Sequence, residues 1–300
     1  MLMLRGSMVA LVTPFKDGRL DEAAMRKHAA WQLEQGIDAL VPCGTTGEGA
    51  TLTSDETAAV IRICVEESKA FSARSAGAPR PVIAGCGTNS TATTIENVRR
   101  AREAGAEAAL VVTPYYNKPS QDGLFRHFEA VADGGGLPVV LYNVPGRTSV
   151  DLLPDTVGRL EKVPGIVGIK EASGNIVRVA ELREKAPTIA ILAGDDMFTL
   201  ATLAMGGQGV ISVIGNIVPG DLSLLCDAWF DGNLAAAQNL QTKFAPLVRA
   251  MFCESNPMPV KHALQKLGRM SGELRLPLVP VGQDSALRID AALAAYGLHQ

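Results

Sequence analysis

Aromatic residues are scarce in this chain: two Trp, four Tyr and eight Phe among 300 residues. So few offer no stacking platform for single-stranded nucleic acid. No block of Lys or Arg supplies the basic footprint that phosphate backbones demand, and the net charge is only -3. Cysteine is sparse too. Cys43, Cys64, Cys86, Cys226 and Cys253 are odd in number and form no C-x-x-C. A disulfide framework and a zinc site are therefore excluded, and a reducing cytosol is the expected compartment. His28, His127, His262 and His299 are scattered and build no H-E-x-x-H, so no metal is expected. No apolar run approaches the ~18 residues of a membrane helix, and Met1 to Arg5 is too short for a signal peptide.

What the chain does have is a repeating unit. Short, near-continuous apolar runs at Met8–Val12, Asp38–Pro42, Pro81–Gly85, Ala108–Thr113, Leu137–Tyr142, Ile166–Lys170, Ile189–Ala193 and Gly209–Val213 alternate with helical patterns. Runs of this kind fit strands buried on both faces, as in a parallel sheet covered by helices. Eight in line give the α/β (β/α)8 TIM barrel. A doubly wound open sheet is the weaker alternative, because no G-x-G-x-x-G follows the first run. After about Asp231 the strand signal fades, and Asn233–Met251, Pro259–Leu267 and Asp284–Tyr296 read as amphipathic helices. The expected organisation is a barrel carrying the active site over residues 1–231 and a C-terminal helical domain over 232–300.

Chemistry in such barrels sits at the carboxyl ends of the strands. The unusual polar residues fall there: Thr45 and Thr46 after the second run, Tyr115 and Tyr116 after the fourth, Tyr142 and Arg147 at the fifth. Lys170 ends the sixth, Gly194-Asp195-Asp196 follows the seventh, and Ile211-Ser212 closes the eighth. A lysine ending a buried run is the odd residue. Burial lowers its pKa, and the neutral amine then attacks carbonyls to form a Schiff base. Tyr142 on the adjacent strand can move protons, with the hydroxyls of Thr46 and a second tyrosine as relay partners. Arg147 suits bidentate recognition of a carboxylate, and the Gly44–Gly47 loop offers amides as an anion nest. The set points to a keto acid such as pyruvate and a second carboxylated substrate. Asp195 and Asp196 read as caps of the next helix, Cys43 and Cys86 as small buried hydrophobes, and the histidines as structural or exposed.

Gly44-Thr-Thr-Gly-Glu48, Thr113-Pro-Tyr-Tyr-Asn-Lys-Pro119, Tyr142-Asn-Val-Pro-Gly-Arg-Thr148, Gly168-Ile-Lys-Glu-Ala-Ser173 and Asn256-Pro-Met-Pro-Val-Lys261 together resemble the dihydrodipicolinate synthase family. The likeness extends over nearly the whole chain, to Leu274-Arg-Leu-Pro-Leu-Val-Pro280. It implies a pyruvate imine on Lys170, with no separate cofactor, whose enamine adds to L-aspartate 4-semialdehyde in lysine and diaminopimelate biosynthesis. Tyr142 matches the family's proton-relay tyrosine, Thr46 its hydroxyl partner, and Tyr116 the tyrosine that completes the relay from a neighbouring subunit. Arg147 matches the residue that binds the semialdehyde carboxylate, and Thr45, Gly194 and Ile211 match pyruvate-pocket positions. The resemblance also implies a homotetramer built as a dimer of dimers.

The chain departs from lysine-inhibited members of that family. They carry a histidine on the helix after the Gly-rich loop, and a glutamate shortly after the position of Asn89. Ser54, Thr57 and Thr93 stand here instead, so feedback by lysine is expected to be weak or absent. Related barrels that cleave N-acetylneuraminate or 2-keto-3-deoxy sugar acids share the lysine and the tyrosine. The Thr45-Thr46 pair and Arg147 argue for a short carboxylated aldehyde rather than a polyol. A non-catalytic keto-acid-binding barrel is the alternative of a different class.

Overall fold

The computed structural model describes residues 4–75 and 77–299. Eight parallel strands follow one another: β1 Gly6–Ala10, β2 Ala39–Val41, β3 Ile83–Gly85, β4 Ala108–Val112, β5 Val139–Asn143, β6 Ile166–Glu171, β7 Ala190–Ala193 and β8 Gly209–Ser212. They pair in the order β2-β1-β8-β7-β6-β5-β4-β3. A bridge between Leu40 and Val82 closes the ring. Beside it the Leu40 amide donates to Pro81 O (3.0 Å) and the Gly85 amide to Pro42 O (2.9 Å). The expected (β/α)8 barrel is what the chain forms.

A helix follows each strand: α1 Glu22–Glu34, α2 Ser54–Ser75, α3 Thr91–Glu103, α4 Gln121–Gly135, α5 Pro154–Leu160, α6 Val177–Lys185, α7 Thr199–Ala204 and α8 Pro219–Phe230. Their starts are written in the sequence. Asp21, Ser90 and Ser120 accept N-terminal amides of α1, α3 and α4, and proline opens α5 and α8. Thr53 and Glu56 form a reciprocal capping box at α2. That helix continues to Ser75. Three helices complete the chain, α9 Leu234–Met251, α10 Met258–Lys266 and α11 Gln283–Tyr296. Their bounds lie within a residue of the sequence reading.

The first strand runs over Gly6–Ala10 rather than Met8–Val12. The Leu11 amide still donates to Val41 O at 3.0 Å, but the Val12 amide turns to the Asn216 side chain at 3.1 Å.

Because strand side chains alternate between faces, the barrel has two apolar compartments. Met8, Ala10, Val41, Ile83, Leu110, Val140, Leu192 and Ile211 fill the interior, with Leu4 beneath them. Val9, Leu40, Ala109, Leu141, Ile169, Ile191 and Val210 face the helices. This parity aims the site. Ile169 points outward into the helical layer, so Lys170 must point inward, above the packed interior. In the parallel β5–β6 register Tyr142 lies beside Lys170. Their side chains therefore emerge together at the carboxyl ends of adjacent strands.

Candidate active site

Lys170 is 5% exposed. Its Nζ lies 4.5 Å from the centroid of the Tyr142 ring, and both line a cavity of about 130 Å3 at the carboxyl face. Burial lowers the lysine to about 8, against an opposing pull from Asp196 and a further push from Arg147. A sizeable neutral fraction is then present at mildly alkaline pH. Burial raises the Tyr142 phenol, while Arg147 and a hydrogen bond from Thr45 pull it back. Such a pair can exchange a proton once a carbonyl carbon lies between them.

Gly194 sits against the lysine stem. A Cβ there would meet Ala172 Cβ at 2.6 Å, Glu171 O at 2.9 Å and Lys170 Cε at 3.1 Å. Only the absent side chain leaves room for the lysine stem. The expected residues Thr45, Thr46, Tyr142, Arg147, Lys170 and Gly194 all line this one cavity.

The threonine pair divides its work differently from the sequence reading. Thr45, not Thr46, is the hydroxyl beside the Tyr142 phenol. The Thr46 hydroxyl accepts a hydrogen bond from Asn256 Nδ2 at 2.8 Å. Asn256 was quoted in the sequence only as part of a motif, yet it is a wall of the cavity. Its backbone O accepts from Arg147 Nη2 at 3.2 Å, and its own Oδ1 is buried with no partner among the described residues. Asn256 follows α9, far along the sequence from the strands, so no strand-end rule could find it. The Gly-rich loop is also a smaller nest than expected. The amides of Gly47, Glu48 and Gly49 close turns onto Gly44 and Thr45, which leaves the Thr45 and Thr46 side to meet an anion.

Ile211, expected at the pocket, does not reach the cavity wall; it is packed in the barrel interior beneath it. Tyr116 is 89% exposed and lines neither this cavity nor its neighbour. Its backbone is left-handed, with φ +72°, which throws the ring outward. Asp195 caps the turn that follows, accepting from the Met197 amide at 2.9 Å. Asp196 does not cap. Its carboxylate turns inward and accepts from the amides of Val213 (3.0 Å) and Ile214 (3.2 Å) after β8. One aspartate suffices for the cap, and its buried neighbour ties β7 to β8.

Cys43 and Cys86 behave as small apolar residues, since burial raises both thiols, that of Cys86 to about 12. His28 and His127 are buried, each lowered to about 4 by burial, and His262 lies part-exposed against Asp290. Among the described residues no group of three His, Cys, Asp or Glu side chains could hold a metal ion, and no helix is long and apolar enough to cross a membrane.

A wider cleft of about 610 Å3 shares Thr45, Tyr142, Arg147 and Asn256 with the cavity and runs outward past Ser54, Thr57 and Tyr115. Its one lining carboxylate, Glu48, is turned away and paired with Lys261.

Comparison with known proteins places this geometry. The profile of the Dihydrodipicolinate synthetase family matches residues 3–296. The 4-hydroxy-tetrahydrodipicolinate synthase of Anaeromyxobacter sp. (strain K) is 52% identical over 300 residues, covering 99% of this chain and 99% of the relative. That of Nitratidesulfovibrio vulgaris (strain DP4) is 48% identical over 299 residues, covering 99% and 100%. A solved structure of the chloride-inhibited dihydrodipicolinate synthase from Acinetobacter baumannii, complexed with pyruvate, superposes with a TM-score of 0.94 at 41% identity, covering 99% of this chain and 100% of that one. A full-length match at this identity, on a fold that carries the lysine, the tyrosine and the arginine to one cavity, leads to one conclusion: the chain belongs to the dihydrodipicolinate synthetase family.

Proposed function

We infer that this chain is a 4-hydroxy-tetrahydrodipicolinate synthase, which joins pyruvate to L-aspartate 4-semialdehyde through an imine on Lys170. The observation that carries the reading is the buried Lys170 amine beside the Tyr142 ring in a cavity scaled to a three-carbon keto acid. The neutral amine adds to the pyruvate carbonyl, and loss of water from the carbinolamine gives the imine. Tyr142 carries protons to the leaving hydroxyl and from the methyl carbon, producing the enamine. The enamine carbon then bonds to the aldehyde carbon of the second substrate. That substrate's own amino group finally displaces Lys170 as the ring closes, which restores the free enzyme.

The pyruvate carboxylate fits the Thr45 and Thr46 side of the loop. Arg147, braced on Asn256 O at the mouth, suits the carboxylate of the semialdehyde, because its fork pairs two oxygens at once. Gly194 leaves space beside the imine. Ile211 supports the cavity from below. No group beyond the covalent imine is needed as a cofactor. Tyr116, stranded in solvent on a single subunit, is suited to complete the Tyr142 relay in a neighbouring subunit of a dimer of dimers. The buried, unpaired thiols of Cys43, Cys64, Cys86 and Cys226 fit a reducing cytosol.

The test is an assay in which pyruvate and the semialdehyde are coupled to the reductase that consumes the product. Turnover of both substrates is expected. Cleavage of a sugar keto acid without that turnover would move the chain to a lyase of the same mechanism.

A further inference from the structure

Lys261 is a wholly buried lysine that the chemistry above leaves unused. It is 0% exposed, and its ion-pair partner Glu48 is 1% exposed at the side chain. The Nζ donates to Glu48 Oε1 and, at 2.7 Å, to Glu273 O, and it lies 4.3 Å from the Phe15 ring centroid. The second Glu48 oxygen accepts from the Arg275 amide at 3.0 Å. Arg275 in turn pairs with Glu56 at the start of α2 and donates to Thr51 O at 3.1 Å.

The place of this cluster gives it meaning. Glu48 ends the loop that carries Thr45 and Thr46, and its backbone is left-handed, with φ +53°. That conformation turns the side chain away from the barrel and toward the helical domain. The other side of the loop is pinned to the segment that follows β1 by a bond from Thr13 Oγ1 to Gly47 O at 2.7 Å. Lys261 stands on α10, whose approach segment contributes Asn256 to the cavity. One short helical segment thus holds the loop twice, at Thr46 through Asn256 and at Glu48 through Lys261, while also bracing Arg147.

A buried ion pair is poor evidence of stability, since desolvation consumes most of what the charges return. Its directional bonds nonetheless fix geometry, and small displacements of a catalytic group are costly. We propose that Lys261 is a positioning residue for the condensation: through Glu48 it locks the helical domain onto the Thr45-Thr46 loop and so sets where the loop meets Tyr142. This rests on the synthase reading above.

The experiment compares Lys261→Met, Glu48→Gln with Lys261→Met together, and Lys266→Met, all as full chains in the coupled assay well below their melting temperatures. Lys266 lies on the same helix, paired at the surface with Asp290, and its variant keeps wild-type turnover. Lys261→Met loses roughly 10- to 100-fold in kcat, the scale of a misplaced catalytic group, and melts lower because Glu48 is left unpaired. The double variant carries no uncompensated charge and melts near the wild type, yet its kcat stays low because the tether is still missing. A double variant that regains turnover along with stability overturns the proposal, since the loss was then one of folding alone. A folded Lys261→Met with normal kcat overturns it too. Should the single variant fail to fold, the double variant decides by itself: low turnover upholds the tether and normal turnover removes it. A wild type inactive in the same assay would sink the synthase reading instead.

Discussion

At the scale of a residue, Lys170 concentrates the conflict between stability and function. Its pKa falls from 10.5 to about 8 because burial disfavours the ammonium. Between those values the unfolded chain holds a proton that the folded chain does not, so stability rises with pH across that window. Below about pH 8 the whole burden is present, equivalent to about 3 kcal/mol. Lys170→Met should therefore raise stability at pH 7 by up to that amount and by less at pH 10, read from urea unfolding at both pH values. The same variant should be catalytically dead. In the wild type, kcat/KM for pyruvate should climb about tenfold per pH unit toward about 8 and then level, as a free amine requires. A second residue-scale prediction concerns Gly194. Alanine there collides with Ala172 and Glu171 and crowds the lysine stem. It should cost about 1–3 kcal/mol by overpacking, raise KM for pyruvate, and slow borohydride trapping.

At the scale of an element, the ends of β5 and β6 are held by a polar network that lies outside the catalytic cavity. Asn143 Nδ2 donates to Asp151 Oδ1 at 2.8 Å and to Glu171 Oε2 at 3.0 Å. Arg178, from α6, clamps both oxygens of Asp151 at 3.1 and 2.9 Å. The residue after Tyr142 and the residue after Lys170 are thus tied together, so the two catalytic side chains inherit a fixed spacing. Arg178→Leu leaves Asp151 without its cation and takes a nearby positive charge from Glu171. It should destabilise by about 3 kcal/mol, measured by thermal or urea unfolding, with turnover reduced by less than in Lys170 variants. The strands and the catalytic strand ends could be read from the sequence because apolar runs and their parity are local properties. The site's far wall could not. Asn256 reaches it directly, and Lys261 only through Glu48, from a segment whose contacts, 210 and 213 residues away in the chain, leave no trace in periodicity. Asp196 was misread for a similar reason: a cap is a local rule, whereas its true partners are amides just beyond another strand. Thr45 rather than Thr46 lies beside the Tyr142 phenol, because adjacent residues of a turn point in different directions that spacing alone does not fix.

At the scale of the whole molecule, Tyr116 and the wide cleft concern what lies beyond one subunit. An exposed tyrosine in a left-handed turn does nothing for the isolated chain. If it completes the relay of a neighbouring subunit, Lys170→Ala and Tyr116→Phe chains mixed and reassembled should recover activity that neither has alone. A site in a mixed dimer then takes its lysine from one parent chain and its phenol from the other. Assay of the mixture against each parent checks this. The cleft past Ser54, Thr57 and Tyr115 lacks a free carboxylate to meet an ammonium, since Glu48 is committed to Lys261. Millimolar lysine should accordingly leave turnover nearly unchanged.

The central claim is the covalent bond on Lys170. Incubation with pyruvate, reduction with borohydride and peptide mass spectrometry test it directly. One reduced pyruvate on the peptide that contains Lys170, absent from Lys170→Met, is the predicted result. An unmodified Lys170 peptide, or the adduct on another lysine, contradicts the account.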